Sequence, residues 1–346
     1  MARCRRLKLW PEEIEAIRPR EILTVSEWAA KYRVLDEKVA NEAGPWSNDR
    51  TPYLVEIMDT FAAGVAQEIT VEKASQLGVT EAALNVLGYI VDQAPGPTML
   101  VYPRKTDWQQ ILEDRIKPMV GATETLAKKW RRHHLQRAEI HWENMITYLA
   151  SAESPADVAS RAVKNLLADE LDRYKWTSAE GNPLSLARNR STTFFDRCFF
   201  KFSTPVTEDG LTHTEFLRSD RRRLWVKCPR CGGYQPLVFD TQHLGETEKD
   251  TEGRVVKGAP GGVKVPQGMR DPDTIQLELL AWYECALCQG RIKDMSRERD
   301  AMIRSGVWCP RGGRVNDRGV VEGAVTSRHA GFHLSSLYSP WYSWSE

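Results

Sequence analysis

Short apolar runs alternate along this chain with segments whose apolar residues recur at helical spacing. Such runs are typical of buried strands and cover Glu68–Glu72, Thr98–Tyr102, Val163–Ala168 and Arg197–Phe202. The segment after Thr80 places Ala82, Val86 and Ile90 on one face of a predicted helix. Strands that alternate with helices predict an α/β fold.

The chain before the first of these strands is predicted to form short helices around a polar loop. The helices cover Pro11–Ile17, Ser26–Tyr32 and Pro52–Phe61, and the loop covers Asn41–Arg50. The aromatic and polar residues of the loop and of the helix after it include Trp46, Arg50 and Tyr53. Either these side chains cradle an adenine or they simply pack in the core, and the pattern leaves both readings open.

The stretch KASQLGVTE, Lys73 to Glu81, joins a predicted strand to a predicted helix, which is the context of a phosphate-binding loop. Against G-x-x-x-x-G-K-[ST], Gly78 and Thr80 are in register, Lys73 replaces the first glycine and Val79 replaces the lysine. The alternative is an ordinary connection with a solvated lysine. The predicted ATP-binding residues are Lys73, Ala74, Ser75, Gln76, Leu77, Gly78, Val79, Thr80 and Tyr53.

The second signal is an apolar strand that ends in Asp169-Glu170, the Walker B pattern. Asp169, with the hydroxyl of Thr80, is predicted to hold Mg²⁺, and Glu170 to polarise the attacking water. Two adjacent acids also occur at helix N-termini, which is the other reading. Ser203-Thr204 ends a further strand and is a candidate coupling motif that senses the γ-phosphate.

Four of the seven cysteines form two C-x-x-C pairs, Cys228/Cys231 and Cys285/Cys288. This arrangement suits a closed, structural Zn²⁺ site, and the alternative is four reduced cysteines. Between the pairs, Gly245–Arg270 is rich in Gly, Lys and Glu, which predicts a flexible excursion from a β-hairpin.

Charge and hydropathy narrow the function classes. The formal net charge is +1, so nucleic-acid contact requires a local patch. Lys128–His134 is such a basic run, or else a solvated helix end. The sequence contains no run of about 18 or more apolar residues, so we expect no membrane contact.

Taken in order, several stretches resemble the large terminase subunits of tailed bacteriophages, in particular the lambda-like branch. These stretches are LTVSEWAAKYRVL (Leu23–Leu35), GPWSNDRTPYLVEIMD (Gly44–Asp59), KASQLGVTE (Lys73–Glu81), LLADELDRY (Leu166–Tyr174), KFSTP (Lys201–Pro205), CPRCGGYQPL (Cys228–Leu237) and GFHLSSLYSPW (Gly331–Trp341).

The resemblance implies a P-loop NTPase of the additional-strand type, with a mostly parallel central sheet flanked by helices and a small β-rich zinc-ribbon module. It implies that Lys73 is the phosphate lysine, that Asp169 and Glu170 form Walker B, and that Ser203-Thr204 couples hydrolysis to motion. It places Tyr53 near the adenine. An arginine acting in cis or in trans is expected, and Arg161 is the candidate.

Under this resemblance the chain divides into four parts. They are an N-terminal, adenine-proximal helical segment (1–65), the ATPase core (66–222), a zinc-ribbon insertion with a flexible hairpin (223–292), and a helix and linker toward a nuclease domain (293–346). Family members continue into that nuclease domain, whereas this chain stops where it would begin. It is therefore expected to be either an ATPase-domain piece or a truncated gene product, and no nuclease residues are assigned.

The resemblance implies an ATP-driven motor that moves double-stranded viral DNA into a procapsid. The implied partners are this DNA, the small terminase subunit and the portal of the procapsid. The motor is expected to form a homo-oligomeric ring in the host cytoplasm. The alternative is a zinc-ribbon protein that binds nucleic acid or serves as a scaffold and carries an inactive loop.

Overall fold

A sheet of eleven strands forms the centre of the computed structural model, which describes residues 10, 21–136, 138–175, 181–239, 261–325 and 327–346. Counting the smaller sheets as well, the strands of the described residues, numbered along the chain, are β1 Val34–Leu35, β2 Gly44–Pro45, β3 Glu68–Lys73, β4 Thr98–Tyr102, β5 Trp130–Gln136, β6 Glu139–Trp142, β7 Ile146–Ser151, β8 Asn165–Asp169, β9 Cys198–Ser203, β10 Arg222–Lys227, β11 Tyr234–Pro236, β12 Gly262–Lys264, β13 Trp282–Glu284, β14 Arg291–Lys293, β15 Val307–Cys309, β16 Arg314–Val315, β17 Val321–Glu322 and β18 His329–Leu334.

The middle of the central sheet is parallel. Its neighbours run in the order β10, β18, β3, β9, β8, β4 and β7, and every adjacent pair in that series is parallel. Antiparallel strands close both sides, with β6 and β5 beyond β7 and with β11 and β15 on β10. The predicted α/β fold with a mostly parallel sheet is therefore confirmed.

Eleven α-helical segments accompany these strands in the described parts of the chain. They are α1 Val25–Tyr32, α2 Tyr53–Ala62, α3 Val79–Asp92, α4 Lys105–Ile111, α5 Lys117–Ala122, α6 Glu124–Ala127, α7 Pro155–Ala159, α8 Pro183–Arg190, α9 Leu211–Leu217, α10 Pro272–Leu277 and α11 Arg297–Arg304. A π-helical turn, Leu112–Ile116, joins α4 to α5, and short 3₁₀ turns cover Leu171–Arg173 and Ser336–Tyr338. None of these helices is long and apolar enough to cross a membrane.

Helix α3 is the most enclosed helix because apolar residues occur on nearly all of its sides. Helix α1 packs on it through Trp28, whose ring fills the space where Gly88 lacks a side chain. A Cβ at Gly88 would lie 2.2 Å from that ring. The Trp28 indole N–H also donates to Asp92 at 3.0 Å. Any larger residue at position 88 would therefore separate the two helices.

Several predicted elements are observed with small changes of boundary. Helix α1 begins after Thr24, which caps it together with Glu27 in a capping box. The predicted helix end at Lys128–His134 is wrong in its final part, because Trp130–Gln136 is the edge strand β5. The predicted helix Pro11–Ile17 and residues 245–260 of the predicted excursion lie outside the described residues.

Strand β18 joins the core from the far end of the sequence. It pairs in parallel with β3 from His329↔Glu68 to Leu334↔Lys73, and its other side pairs with β10. The predicted division into four parts stays a prediction, and strands from both sides of its last two boundaries share this one sheet.

A buried charge cluster ties β3, β9 and α9 together. The ammonium of Lys201, whose side chain is fully buried, forms ion pairs with Glu68 and Glu215. Arg188 adds a second cation, 2.7 Å from Glu68. Removing one member of such a buried set leaves an uncompensated charge and costs about 3–5 kcal/mol.

His329 lies next to this cluster, with Nε2 2.8 Å from the Thr70 hydroxyl. Burial, reinforced by the charge of Lys201, lowers the pKa of His329 from 6.5 to about 4, against the opposing charges of Glu68 and Glu215. The folded protein therefore keeps this imidazole neutral.

We predict that acid weakens the fold through His329. Because the unfolded chain takes up this proton below pH 6.5 and the folded chain only near pH 4, the unfolding free energy falls as pH drops through that window. The loss is on the order of 3 kcal/mol. Chemical denaturation at pH 7 and pH 4.5 measures it. The His329→Gln variant should lose less stability over this interval than the control His141→Gln, and equal losses would contradict the assignment.

Candidate functional site

Three neighbouring parallel strands bring their carboxyl ends together at one edge of the sheet. Strand β9 lies between β3 and β8, with Ser203 opposite Glu72 and Phe202 opposite Asp169. Lys73 therefore ends one side of this edge and Asp169 the other. In open α/β sheets, the crevice outside the carboxyl ends is where ligands bind.

The loop between β3 and α3 contains two residues with a left-handed backbone. Gln76 has a φ of 56° and Gly78 a φ of 76°, both in the left-handed region. Gly78 immediately precedes the first residue of α3, and a Cβ there would lie 3.3 Å from Leu54 Cδ1. Consecutive outward N–H groups at a helix N-terminus form a concave site for an anion.

Apolar side chains fix the loop to the core. Leu77 and Val79 are each 1% exposed. Val79, at the position where the common motif has lysine, therefore packs inward and offers nothing to a ligand. Lys73 is the basic residue of the segment 73–80.

Lys73 points along the edge toward the other strands. Its ammonium donates to the Thr204 hydroxyl at 3.4 Å. Burial lowers the pKa of Lys73, while the charges of Asp169 and Glu170 act in the opposite direction. The lysine, the Ser203-Thr204 segment and the two acids therefore form one electrostatic group.

Asp169 is held in an environment that disfavours its charge. Its side chain is buried, and burial raises its pKa to about 7, with the Lys73 charge opposing the rise and the Glu170 charge adding to it. A nearby cation favours the ionised form of such a buried carboxylate, so Asp169 is suited to bind one.

Glu170 occupies a strained backbone position at the end of β8. Its φ is 54°, and its backbone N–H donates to the Phe202 carbonyl at 3.1 Å. Its carboxylate is 40% exposed and pairs with Arg173 at 3.0 Å. Left-handed geometry in a residue other than glycine costs roughly 1–3 kcal/mol and is concentrated at functional sites.

Other predicted residues lie apart from this edge or are enclosed. Arg161 is half-exposed and pairs with Glu139 at 2.8 Å. The Tyr53 ring is 2% exposed and Trp46 is 8% exposed, so neither presents a free face to a base. Within the described residues, the buried hydroxyls of Thr51 and Tyr53 have no hydrogen-bond partner.

Arg50, in contrast, lines an open cavity of about 290 Å³. The cavity lies between the segment that holds Glu42 and Pro52 and the side of α11 that carries Arg304. Thr51, which lies in the sequence between the lining residues Arg50 and Pro52, is near the loop, since a Cβ at Gly78 would be 3.7 Å from Thr51 Cγ2.

The sequence analysis missed the contribution of the C-terminal segment. The Tyr342 hydroxyl and Gln76 Oε1 are 3.1 Å apart, and the Trp341 ring would lie 3.9 Å from a Cβ at Gly78. Arg50 lies over the same indole. Residues 330–341 are half-apolar, a composition that favours packing but does not locate the contact on the loop.

The four paired cysteines converge in one cluster. Two similar turns present them: the backbone N–H of Arg230 faces Cys228 Sγ at 3.4 Å, and that of Leu287 faces Cys285 Sγ at 3.4 Å. Sulfurs of opposite turns are 3.9 Å apart. Four ligands at the usual Zn–S distance of about 2.3 Å would be about 3.8 Å apart in a tetrahedron, so this donor set fits Zn²⁺.

A second group with metal-ligand chemistry, Glu68, Glu215 and His329, lies at the other end of β3. The ammonium of Lys201 already pairs with both of its carboxylates. This cluster is therefore satisfied without an ion.

The fold and site define an α/β protein with a loop that joins one parallel strand to a helix and with two acidic residues at the end of another strand. The family model described as phage terminase large subunit gpA, ATPase domain, matches residues 40–308. The chain belongs to this family, as its resemblance to terminase large subunits predicted.

Two solved large terminases are distantly similar to this chain. The large terminase of bacteriophage HK97 is 11% identical with a TM-score of 0.46, over 57% of this chain and 41% of the HK97 chain. The ATPase domain of the Thermus phage P74-26 large terminase is 17% identical with a TM-score of 0.34, over 44% of this chain and 65% of that domain. Neither likeness carries a conclusion about this chain. No curated protein sequence matches it.

Proposed function

We propose that this chain is the ATP-hydrolysing motor domain of a viral DNA-packaging terminase. The observation that carries the proposal is the meeting of Lys73, Thr204 and the Asp169-Glu170 pair at the ends of three neighbouring parallel strands. Family membership supports an ATPase domain in general.

In this proposal the triphosphate lies on the loop. The backbone N–H groups of residues 75–78 and the Lys73 ammonium neutralise its charge, which grows as the γ-phosphate bond breaks. Thr80 and Asp169 are the residues that would hold Mg²⁺, which would supply positive charge to stabilise the developing charge on the phosphate. Glu170 orients the attacking water and accepts its proton.

The cavity lined by Arg50 is the proposed place for the nucleoside. Arg50 and Pro52 line it, and the unpartnered hydroxyls of Thr51 and Tyr53 are close in sequence. The predicted adenine role of Tyr53 is therefore proposed for its hydroxyl rather than for stacking of its ring.

Two further roles concern communication. Thr204 bonds to Lys73, so loss of the γ-phosphate would change the environment of the Ser203-Thr204 segment directly. Arg161 is half-exposed and lies over the Tyr148 ring, which suits a side chain offered to a neighbouring subunit of a ring.

The cysteine cluster is proposed as a structural Zn²⁺ site. Its four ligands are Cys228, Cys231, Cys285 and Cys288, and a closed set of four thiolates leaves no position for a substrate. The proposed partners are double-stranded DNA, the small terminase subunit and the portal of a procapsid in the host cytoplasm. The terminase family supports these partners in general terms.

A second candidate function is a zinc-ribbon nucleic-acid-binding or scaffolding protein with an inactive loop. The burial of Val79 favours it, because the usual phosphate lysine is missing and position 79 faces the core. This candidate predicts DNA binding without nucleotide turnover.

We predict that Glu170→Ala lowers ATP turnover by a factor of about 10² or more, because the base that orients the water is lost. Lys73→Ala should abolish turnover through loss of the phosphate charge. Glu208→Ala, an exposed acid outside the site, is the matched control. Steady-state ATPase assays with and without double-stranded DNA measure the effect. Normal turnover in a folded Glu170→Ala protein would refute the assignment, and DNA binding by an inactive wild type would favour the second candidate.

We also predict one bound Zn²⁺ per chain. Elemental analysis of purified protein should find it, and Cys231→Ser should release it, whereas Cys309→Ser should not, since Cys309 lies outside the cluster. Chelation should lower the melting temperature of the wild type and leave that of Cys231→Ser nearly unchanged. Wild-type protein prepared with zinc that nevertheless carries none would contradict the assignment.

A further inference from the structure

Asp172 lies two residues after Glu170 and makes three hydrogen bonds to a different part of the chain. Its Oδ2 accepts from the Val206 backbone N–H at 2.7 Å. Its Oδ1 accepts from the Thr212 N–H at 2.7 Å and from the Thr212 hydroxyl at 2.6 Å. Both carboxylate oxygens are therefore used, each on a different side of one loop.

The loop in question is residues 204–212, which follow β9 and include Leu211 and Thr212, the first two residues of α9. Hydrogen bonds to a charged acceptor are about twice as strong as neutral ones, so the Asp172 carboxylate stabilises the position of this loop. Packing is tight at the centre: a Cβ at Gly210 would lie 2.5 Å from Asp172 Oδ2. Thr212 is fully buried, so its hydroxyl needs this acceptor.

Both ends of the loop 204–212 are connected by side chains to β3, the strand that ends in Lys73. At its start, Thr204 accepts the hydrogen bond of Lys73. At its end, His213 Nδ1 lies 2.7 Å from Glu72, the residue before Lys73. Asp172 thus joins the turn that carries Glu170 to a loop whose two ends contact β3.

We infer that Asp172 is a positioning residue that links the catalytic turn to the loop 204–212 and, through it, to α9. The inference rests on the proposed ATPase function and adds a residue outside the nucleotide-contacting set. A rearrangement of Glu170 on hydrolysis would move Asp172 and, through its hydrogen bonds, Val206 and Thr212. The expected role is in turnover and its response to DNA, not in nucleotide affinity.

The alternative is that Asp172 only stabilises the start of α9. The two roles differ in kinetics: a purely structural residue changes stability and leaves the turnover of the folded fraction unchanged. A linking residue changes kcat and the stimulation by DNA at an unchanged KM for ATP. The test therefore reads the kinetic parameters separately.

The variants sever the link in different ways. Asp172→Asn keeps one acceptor oxygen and replaces the other by an N–H₂ group. Thr212→Val removes one of the three bonds at constant volume, and Gly210→Ala displaces the carboxylate without altering it. Asp209→Asn, an exposed acid of the same loop, is the matched control.

Steady-state ATPase kinetics with and without double-stranded DNA are measured for each folded variant. We expect DNA-stimulated kcat to fall about tenfold or more in Asp172→Asn and Gly210→Ala, the factor of one hydrogen bond to a charged group. Thr212→Val should fall less and Asp209→Asn not at all. The KM for ATP should stay within about twofold of wild type.

Wild-type kcat and DNA stimulation in folded Asp172→Asn would overturn the link while leaving the proposed function intact. If Asp172→Asn does not fold, wild-type kinetics in both Thr212→Val and Gly210→Ala would overturn it equally. A rise in KM that accounts for the whole effect would also overturn it. Failure of the proposed function is distinguishable, because it shows as the absence of turnover in the wild type.

Discussion

The parallel pairing of β9 between β3 and β8 is the constraint on which the site depends. Parallel neighbours place all their carboxyl ends on one side of the sheet. Lys73, Thr204 and Asp169 are distant in sequence, and the pairing of their strands brings them to the same edge. The buried ammonium of Lys201 fixes this arrangement from below, since it neutralises Glu68 on β3 and Glu215 on α9. A shift of β9 by one residue would turn that ammonium to the other face of the sheet.

The fold supports several unfavourable features at this edge. Gln76 and Glu170 both have left-handed backbones, and Asp169 and Lys73 are both withdrawn from water. Each opposes folding, and each is located where a charged ligand would find N–H groups, a cation and acids already in place. The opposing stabilisation comes from enclosed apolar elements such as α3, which begins at the loop itself.

The sequence predicted the parts of the site that local pattern specifies. Apolar runs located β3, β8 and β9, and the loop and the acids follow these runs directly, so pairing of the strands was enough to bring them together. Local pattern could not predict β18, because its place between β10 and β3 depends on pairing His329 with Glu68 across most of the chain. The same distance hid the contact of Tyr342 with Gln76.

The direction of individual side chains is the other feature that the sequence pattern could not predict. Val79 and Tyr53 occupy positions where a motif suggests ligand contact, yet both point into the core, and spacing alone does not reveal this. Asp172 is a case in which direction reveals a contact that the pattern hid. The sequence DELDRY, Asp169–Tyr174, looks like one acidic stretch, but its acidic side chains have different partners. Glu170 pairs with Arg173, and Asp172 accepts hydrogen bonds from the loop 204–212.

The cysteine module and the loop edge are joined by the C-terminal segment. Arg299 of α11, almost fully buried, donates to the carbonyls of Ser339 and Tyr342, and the Tyr342 hydroxyl reaches Gln76. The Tyr338 hydroxyl donates to the Leu224 carbonyl on β10, the strand that leads to Cys228. Because one short segment meets both regions through directional hydrogen bonds, the position of the cysteine module and the geometry of the loop are set together.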